Sequence, residues 1–345
     1  MNRAIEISSG TILRTIFILL LLWFVFLVRD ILVLVFVAVI IVSAMDPIVD
    51  WLQRKKIPRA LTVLLVYILV FAIIGTGISF LVAPLSSEIS NLGKNFPRFI
   101  ENLSGYFTIV HDYAASHSIT QEVGNFTTNF NNSLSQISSN VFSGTVSFIG
   151  GLFSFVVILS MAFYMSVQEK GVKKFFTSLV PHEHSEYIKD LIDRIQFKMG
   201  RWLLGQIALM IIIFTIDYVG LLIIGVPYAL ILAILAGFLE IIPYVGPIVS
   251  TVAATLIVLL NGGWIKAVLV LLLFTLAQQL EGNVITPLVM RKAVGLNPVV
   301  VIVALLIGFQ LDGIVGALIA IPAATAIGEV VGDIVKGKEA TGEEI

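Results

Sequence analysis

The chain has 345 residues, of which 58% are apolar and only 12% charged, with a mean hydropathy of +1.03. A soluble domain carries about 25% charged residues, so this deficit excludes an ordinary soluble protein and places the chain in a lipid bilayer. The net charge of −1 gives no electrostatic argument for nucleic acid as a partner, and the lack of cysteine excludes disulfide and thiol chemistry.

In chain order, residues 11–28 and 31–45 form a first apolar pair divided by Arg29-Asp30. The first run has no small-residue cleavage site after it and reads as a retained helix rather than a signal peptide. The second is short of the roughly 20 residues that a span needs, so it is expected to continue through Asp46-Pro47 towards Leu52. Residues 60–83 read as a clean spanning helix entered through Pro58-Arg59.

Residues 84–140 differ: they are polar, rich in Ser and Asn, and poor in charge. Leu85, Ile89, Leu92, Phe96, Phe99, Leu103, Tyr106 and Val110 keep a heptad step, which Pro97 and Gly105 interrupt, predicting a kinked helix or two short ones. Val123, Phe126, Phe130, Leu134, Ile137 and Val141 make a second stripe. The two stripes can cover each other as a helical hairpin, or they can join copies of the chain in a homo-oligomer. Residues 145–167 span again.

Residues 168–201 are basic and amphipathic, the pattern of helices at a membrane interface. Phe175, Phe176, Leu179, Ile188, Leu191, Ile192, Ile195, Met199 and Trp202 line the apolar face. His182 and His184 lie here, but a His-x-His in a polar loop without a third ligand reads as solvated, so no metal is expected. Residues 203–226 span and carry Gln206 and Asp217.

Lys and Arg are biased to cytoplasmic loops. With both termini in the cytoplasm, only Arg29, Lys94, Arg98 and Lys266 of the 21 basic residues fall outside. Residues 84–140 are then extracytoplasmic, Val226 lies outside and Arg291 inside. Three short apolar pieces lie between: 228–240, 248–260 and 265–280. Folding the first two as a re-entrant hairpin with its tip at 243–247, and letting the third cross, closes the count.

Aligning Pro227 with Pro298 also matches Ile231 with Ile302, Ala233 with Ala304, Leu235 with Leu306, and Gly237-Phe238 with Gly308-Phe309. The two copies enter from opposite sides, as in the inverted repeats of transporters. The expected fold is all-α and polytopic, with two broken or re-entrant hairpins in an inverted repeat. Its divisions are spans in 1–83, an outer segment in 84–140, a span in 141–167, a cytoplasmic insert in 168–202, a transport core in 203–335 and a disordered tail in 336–345.

A charge at the centre of a span costs about 2.5 to 3.5 kcal/mol and is seldom retained without use. The candidates are Asp217, Glu240, Glu281 and Asp312, with Gln278, Gln279, Asn283 and Gln310 as polar neighbours. Pro243 and Pro247 withhold backbone donors and Gly246 permits unusual dihedrals, which leaves carbonyls beside Glu240 to coordinate a cation. Glu281 precedes Gly282-Asn283, and Pro287 is expected to stop the next turn. A structural hydrogen bond is the competing role for each carboxylate, and it is the one assigned to Glu329 and Asp333. No nucleophile–base arrangement, phosphate loop or cofactor motif is present, so no enzyme is expected.

The passages EIIPYVGP (240–247) and QLEGNVITP (279–287) also carry a resemblance, together with GLNP (295–298) and GIVG (313–316) leading to AIP (320–322). In combination they resemble the autoinducer-2 exporter family over nearly the whole chain. The resemblance implies a multi-pass protein of a bacterial or archaeal inner membrane, with about eight membrane segments of transporter type. It further implies export of a small polar solute such as the quorum-sensing furanone, or Na⁺(Li⁺)/H⁺ antiport. A non-transporting scaffold, from a different class, has no need of the intramembrane carboxylates.

Overall fold

The computed structural model describes residues 9–116, 145–168, 174, 177–178, 180–290 and 295–341. Among them the chain is all-α. Five helices are long and apolar enough to cross a membrane, beginning with Arg29–Gln53 and Arg59–Asn91, and four shorter apolar helices accompany them.

Helices α1 (Ser9–Leu27) and α2 (Arg29–Gln53) form the expected first pair, and α2 does continue through Pro47. Pro47 has no N–H to give the Ser43 carbonyl one turn earlier. There the chain around Gly200 comes close: a Cβ on Gly200 would overlap the Ser43 carbonyl. Helix α3 (Arg59–Ser116) is a single helix of 58 residues running through Pro84 and Pro97, in place of the kinked or paired helices expected. At 1.5 Å per residue it is about 87 Å long, far more than the roughly 30 Å hydrocarbon core. The second stripe, 123–141, lies outside the described residues, as do Phe175, Phe176 and Leu179 and the side chains of Leu92, Phe96, Phe99, Leu103, Tyr106 and Val110.

After α4 (Thr145–Val167), a short 3₁₀ turn at His182–His184 leads into α5 (Ser185–Ile224). The amphipathic segment and the span after it are therefore one helix of 40 residues. It ends where Gly225 takes a left-handed φ of 70°, the Val226 N–H bonds the Leu221 carbonyl, and Lys266 Nζ reaches the Gly225 carbonyl at 2.8 Å.

Helices α6 (Ala229–Leu239) and α7 (Val245–Gly262) make the first hairpin, broken at 240–244. Its arms cross tightly, since a Cβ on Gly246 would overlap the Leu239 carbonyl. Gly246 is thus needed for close approach, and it lies inside α7. Pro247 sits in the first turn of α7, where a missing N–H costs no helical bond. The backbone strain falls instead on Tyr244, which holds a φ of 68°.

Helix α8 (Trp264–Leu280) leads through a π-helical turn at Glu281–Ile285 to α9 (Thr286–Met290). The expected stop before Pro287 is therefore a bulge within one continuous span, Trp264–Met290. Pro287 cannot donate to the Asn283 carbonyl and its ring would press on it, and widening the turn relieves both.

Helix α10 (Pro298–Thr341) forms the second hairpin. Its ladder is interrupted at Asp312 (φ −148°, ψ 31°) and Gly313 (φ 55°, ψ −135°), so it consists of two arms joined at a break. The arms pack face to face at Gly308 and Gly316, each lying against the other's carbonyl with no room for a Cβ. The break follows closely on Gly308-Phe309, as the first break follows Gly237-Phe238. The first arms, α6 and residues 298–311, reach only about 17 and 21 Å by helical rise, short of the hydrocarbon core. The C-terminal arm extends to Thr341, into the stretch read as a disordered tail, and residues 342–345 lie outside the described residues.

Helix α5 is the common wall of two cores. Ile213 and Leu221 pack with Leu232, Ala233 and Ala236 of α6, Ala254 and Val258 of α7, and Val270 and Phe274 of α8. Lower on α5, Met199 and Trp202 pack with Ile40 of α2, Ile242 of the first tip, and Leu305, Ala317, Ala320 and Ile321 of the second hairpin. Within lipid the gain is close van der Waals contact more than escape from water, which accounts for the many Ala and Gly residues at these seams.

Candidate functional site

Glu240 ends α6 at the first break and Glu281 opens the π turn after α8. The fold brings them together, with their carboxyl groups in hydrogen-bond reach of each other. Glu240 is only 2% exposed, although it sits at a turn. Gln206 of α5, itself buried, donates from Nε2 to the Glu240 carbonyl oxygen at 2.5 Å, and Thr286 Oγ1 donates to Glu281 Oε1 at 3.2 Å.

Two spaces meet at this pair. One is a vestibule of ≈ 360 Å³ between the first tip and the second hairpin, lined by Trp202, Gln206, Pro243, Tyr244, Pro287, Met290, Pro298 and Ile321 as well as both glutamates. The other is a small space enclosed by α5, α7 and α8, lined by Asp217, Pro247, Ser250, Thr251 and Gln278 together with the same two glutamates. Its free volume is ≈ 10 Å³, enough for about one water-sized species. Asp217 is 2% exposed, and its Oδ1 has no hydrogen-bond partner among the described residues.

The first tip differs from expectation in its carbonyls. The Ile242 carbonyl accepts the Gly246 N–H at 2.9 Å and that of Pro243 accepts Val245 N–H at 2.8 Å. The Pro247 carbonyl accepts the Ser250 and Thr251 hydroxyls at 3.1 and 2.6 Å. The prolines do withhold donors, but local turns and side chains occupy the acceptors, so coordination falls to side-chain oxygens.

Other candidates stay apart. Gln279 and Asn283 are exposed and pair with each other, Asn283 Nδ2 donating to Gln279 Oε1 at 2.9 Å on the outer face of the bulge. Gln310 and Asp312 are exposed at the second tip and line neither space. Glu329 and Asp333 have the structural role assigned to them. Asp333 takes the Arg194 guanidinium at 2.9 Å and the Tyr187 hydroxyl at 3.0 Å, and Glu329 pairs with Arg194 at 3.4 Å and with Lys198. His182 and His184 lie in the short turn before α5, and the described residues contain no group of three His, Asp or Glu close enough to hold a metal ion.

Gln206, Ser250, Thr251 and Thr286 belong to the site as well, beyond the residues expected from the sequence. Ser250 and Thr251 follow Pro247 by three and four positions, the spacing that aims a hydroxyl at a helical carbonyl, and this was a usable signal. Glu88 had none. From the far part of α3 its carboxylate accepts the N–H groups of Leu230 and Ile231 at 3.4 and 3.0 Å, capping the start of α6, the arm that carries Glu240.

A family model described as AI-2E family transporter matches residues 12–336. The "Putative transport protein YrrI" of Bacillus subtilis (strain 168) is 28% identical over 328 residues, covering 90% of this chain and 89% of its own. The "Putative transport protein YhhT" of Escherichia coli (strain K12) is 24% identical, covering 85% of this chain and 82% of its own. A protein named "Sodium-lithium/proton antiporter" from Halobacillus andaensis is 25% identical over 302 residues, covering 82% of this chain and 84% of its own.

Proposed function

The chain belongs to the AI-2E transporter family, and on that premise we propose a secondary transporter in which the Glu240–Glu281 pair exchanges a proton for a small monovalent cation. The observation that carries this reading is the meeting of two carboxyl groups at the wall between a vestibule and a space of single-ion size. With one proton between them, a carboxyl–carboxylate hydrogen bond closes the pair on itself. Without it, two like charges face each other and attract a cation. The pair therefore holds a proton or admits a cation, which is the requirement for coupled exchange. The likeness to a sodium-lithium/proton antiporter supports the same cargo.

In this reading the protein lies in a bacterial or archaeal inner membrane, with the end that carries Arg54, Arg194 and Lys198 in the cytoplasm. The two hairpins are re-entrant from opposite sides and rock against each other, opening the pair to one side at a time. A second reading is supported by the vestibule: ≈ 360 Å³ lies within the size range of small-molecule sites, so proton movement through the same pair would drive export of a small polar solute.

The test is flux in proteoliposomes carrying a pH-sensitive dye. Addition of Na⁺ or Li⁺ is expected to move protons, and Glu240→Gln and Glu281→Gln are each expected to abolish that movement while the protein keeps its elution profile. Undiminished coupled flux in both variants would overturn the assignment. Proton movement evoked by a panel of small hydroxylated metabolites, and by no cation, favours solute export.

A further inference from the structure

We infer that the cation is held beyond the glutamate pair, at Asp217, as a dehydrated monovalent ion bound by the Asp217 carboxylate and the hydroxyl oxygens of Ser250 and Thr251. This deepens the exchange reading and rests on it. Asp217 is 98% removed from solvent, being 2% exposed, and its Oδ1 has no hydrogen-bond partner among the described residues, yet the side chain lines the small space. A buried carboxylate left in this way is costly unless something compensates it. No Lys or Arg lines the space, so the carboxyl is neutralised either by a proton or by a bound cation, and the hydroxyls beside it favour the cation.

The hydroxyls fit that species. Ser250 and Thr251 both direct their protons to the Pro247 carbonyl, so the lone pairs of their oxygens are what they offer elsewhere. An oxygen set of one carboxylate and two acceptor hydroxyls suits a hard cation. The ≈ 10 Å³ of room holds about one water-sized species, so the ion enters without its hydration shell. A divalent ion fits poorly: Ca²⁺ takes about six to eight oxygens and Mg²⁺ keeps several waters, more than ≈ 10 Å³ of room admits.

Position gives the site its use. Glu240 and Glu281 border both spaces, whereas Asp217 borders only the inner one. A cation from the vestibule reaches Asp217 only past the pair, after the proton has left it. The pair thus acts as the proton carrier and Asp217 as the cation ligand, and this order prevents either from moving alone.

The experiment is equilibrium binding of ²²Na⁺ to the purified full chain, with Li⁺ and K⁺ as competitors. Saturable binding is expected in the wild type, with at least a tenfold loss of affinity in Asp217→Asn and partial recovery in Asp217→Glu. Wild-type affinity in Asp217→Asn overturns the site, as does a wild type that binds no monovalent cation. Should Asp217→Asn fail to fold, Ser250→Ala decides in its place: several-fold weaker binding supports the site and unchanged affinity overturns it. Dye-reported flux in Glu240→Gln judges the exchange reading separately, so a wild type that exchanges protons while Asp217→Asn binds normally defeats only this inference.

Discussion

Gln206 ties the common wall of the two cores to the most delicate turn. It is 1% exposed, and its amide satisfies the Glu240 carbonyl at the point where α6 has run out of helical donors. Replacing it with Leu leaves that buried carbonyl without a partner, at a cost of about 1–3 kcal/mol. The Gln206→Leu protein is expected to unfold at a lower temperature in detergent, and an unchanged Tm would show that the bond contributes nothing. At this scale the sequence was legible for charges and not for neutral groups. Glu240 and Glu281 stood out because apolar surroundings make any carboxylate conspicuous. Gln206 is an ordinary polar residue in a span until its partner is known, and Ser250 and Thr251 are marked only by their spacing from Pro247. Gln279 and Asn283 shared a passage with Glu281 but not its face, since the π turn carries them outward to pair with each other.

Among the elements, the two hairpins depend on backbones that approach closely. Gly308 and Gly316 lie against each other's carbonyls, so a methyl group at either site must push the arms apart. Overpacking of this kind costs about 1–3 kcal/mol and often more where the obstacle is backbone. Gly308→Ala is expected to lower yield and thermal stability sharply. Gly332→Ala, with nothing within 4 Å of the new carbon, should stay within about 0.5 kcal/mol of the wild type. Similar losses from both would mean that helix content, and not the crossing, sets the effect. The hairpins themselves were legible, since the Gly-Phe pairs and the helix breakers after them marked both turns. The long helices were not: α3 and α5 run on through boundaries where polarity changes. Hydropathy reports the solvent around a helix, whereas helical hydrogen bonds continue through a change of solvent.

For the molecule as a whole, ion pairs and caps join the ends of the bundle. Arg59 donates to the Ser166 carbonyl at 2.7 Å and to Asp46, Asp50 and Gln53 at 3.2 Å, joining α2, α3 and α4. Arg194 and Lys198 hold the C-terminal arm of α10 against α5 through Glu329 and Asp333. At the other end of α5, Lys266 and Glu88 close the caps around the first hairpin. The two groups of contacts lie at opposite ends of α5, and the orientation proposed for them has a clean test, because the chain contains no cysteine of its own. Ser185→Cys is expected to react with an impermeant thiol reagent only from the cytoplasmic side, and Lys94→Cys only from outside. Labelling of both from one side would overturn the assigned orientation.

Composition and the length of its apolar runs determined that this chain is a helical membrane protein, because a bilayer admits few charges and an uninterrupted apolar run of about 20 residues satisfies its own backbone there as a helix. Residue order determined where its two turns break, because Pro and Gly act on their immediate neighbours whatever the fold. Which polar residues meet was decided only by the tertiary structure. Asp217, Glu240 and Glu281 come from three separate helices, and their convergence depends on the side-chain directions that the packing around α5 imposes. A carboxylate is visible in a sequence, but whether it faces lipid, a partner or a space the size of one ion is a property of its neighbours in space.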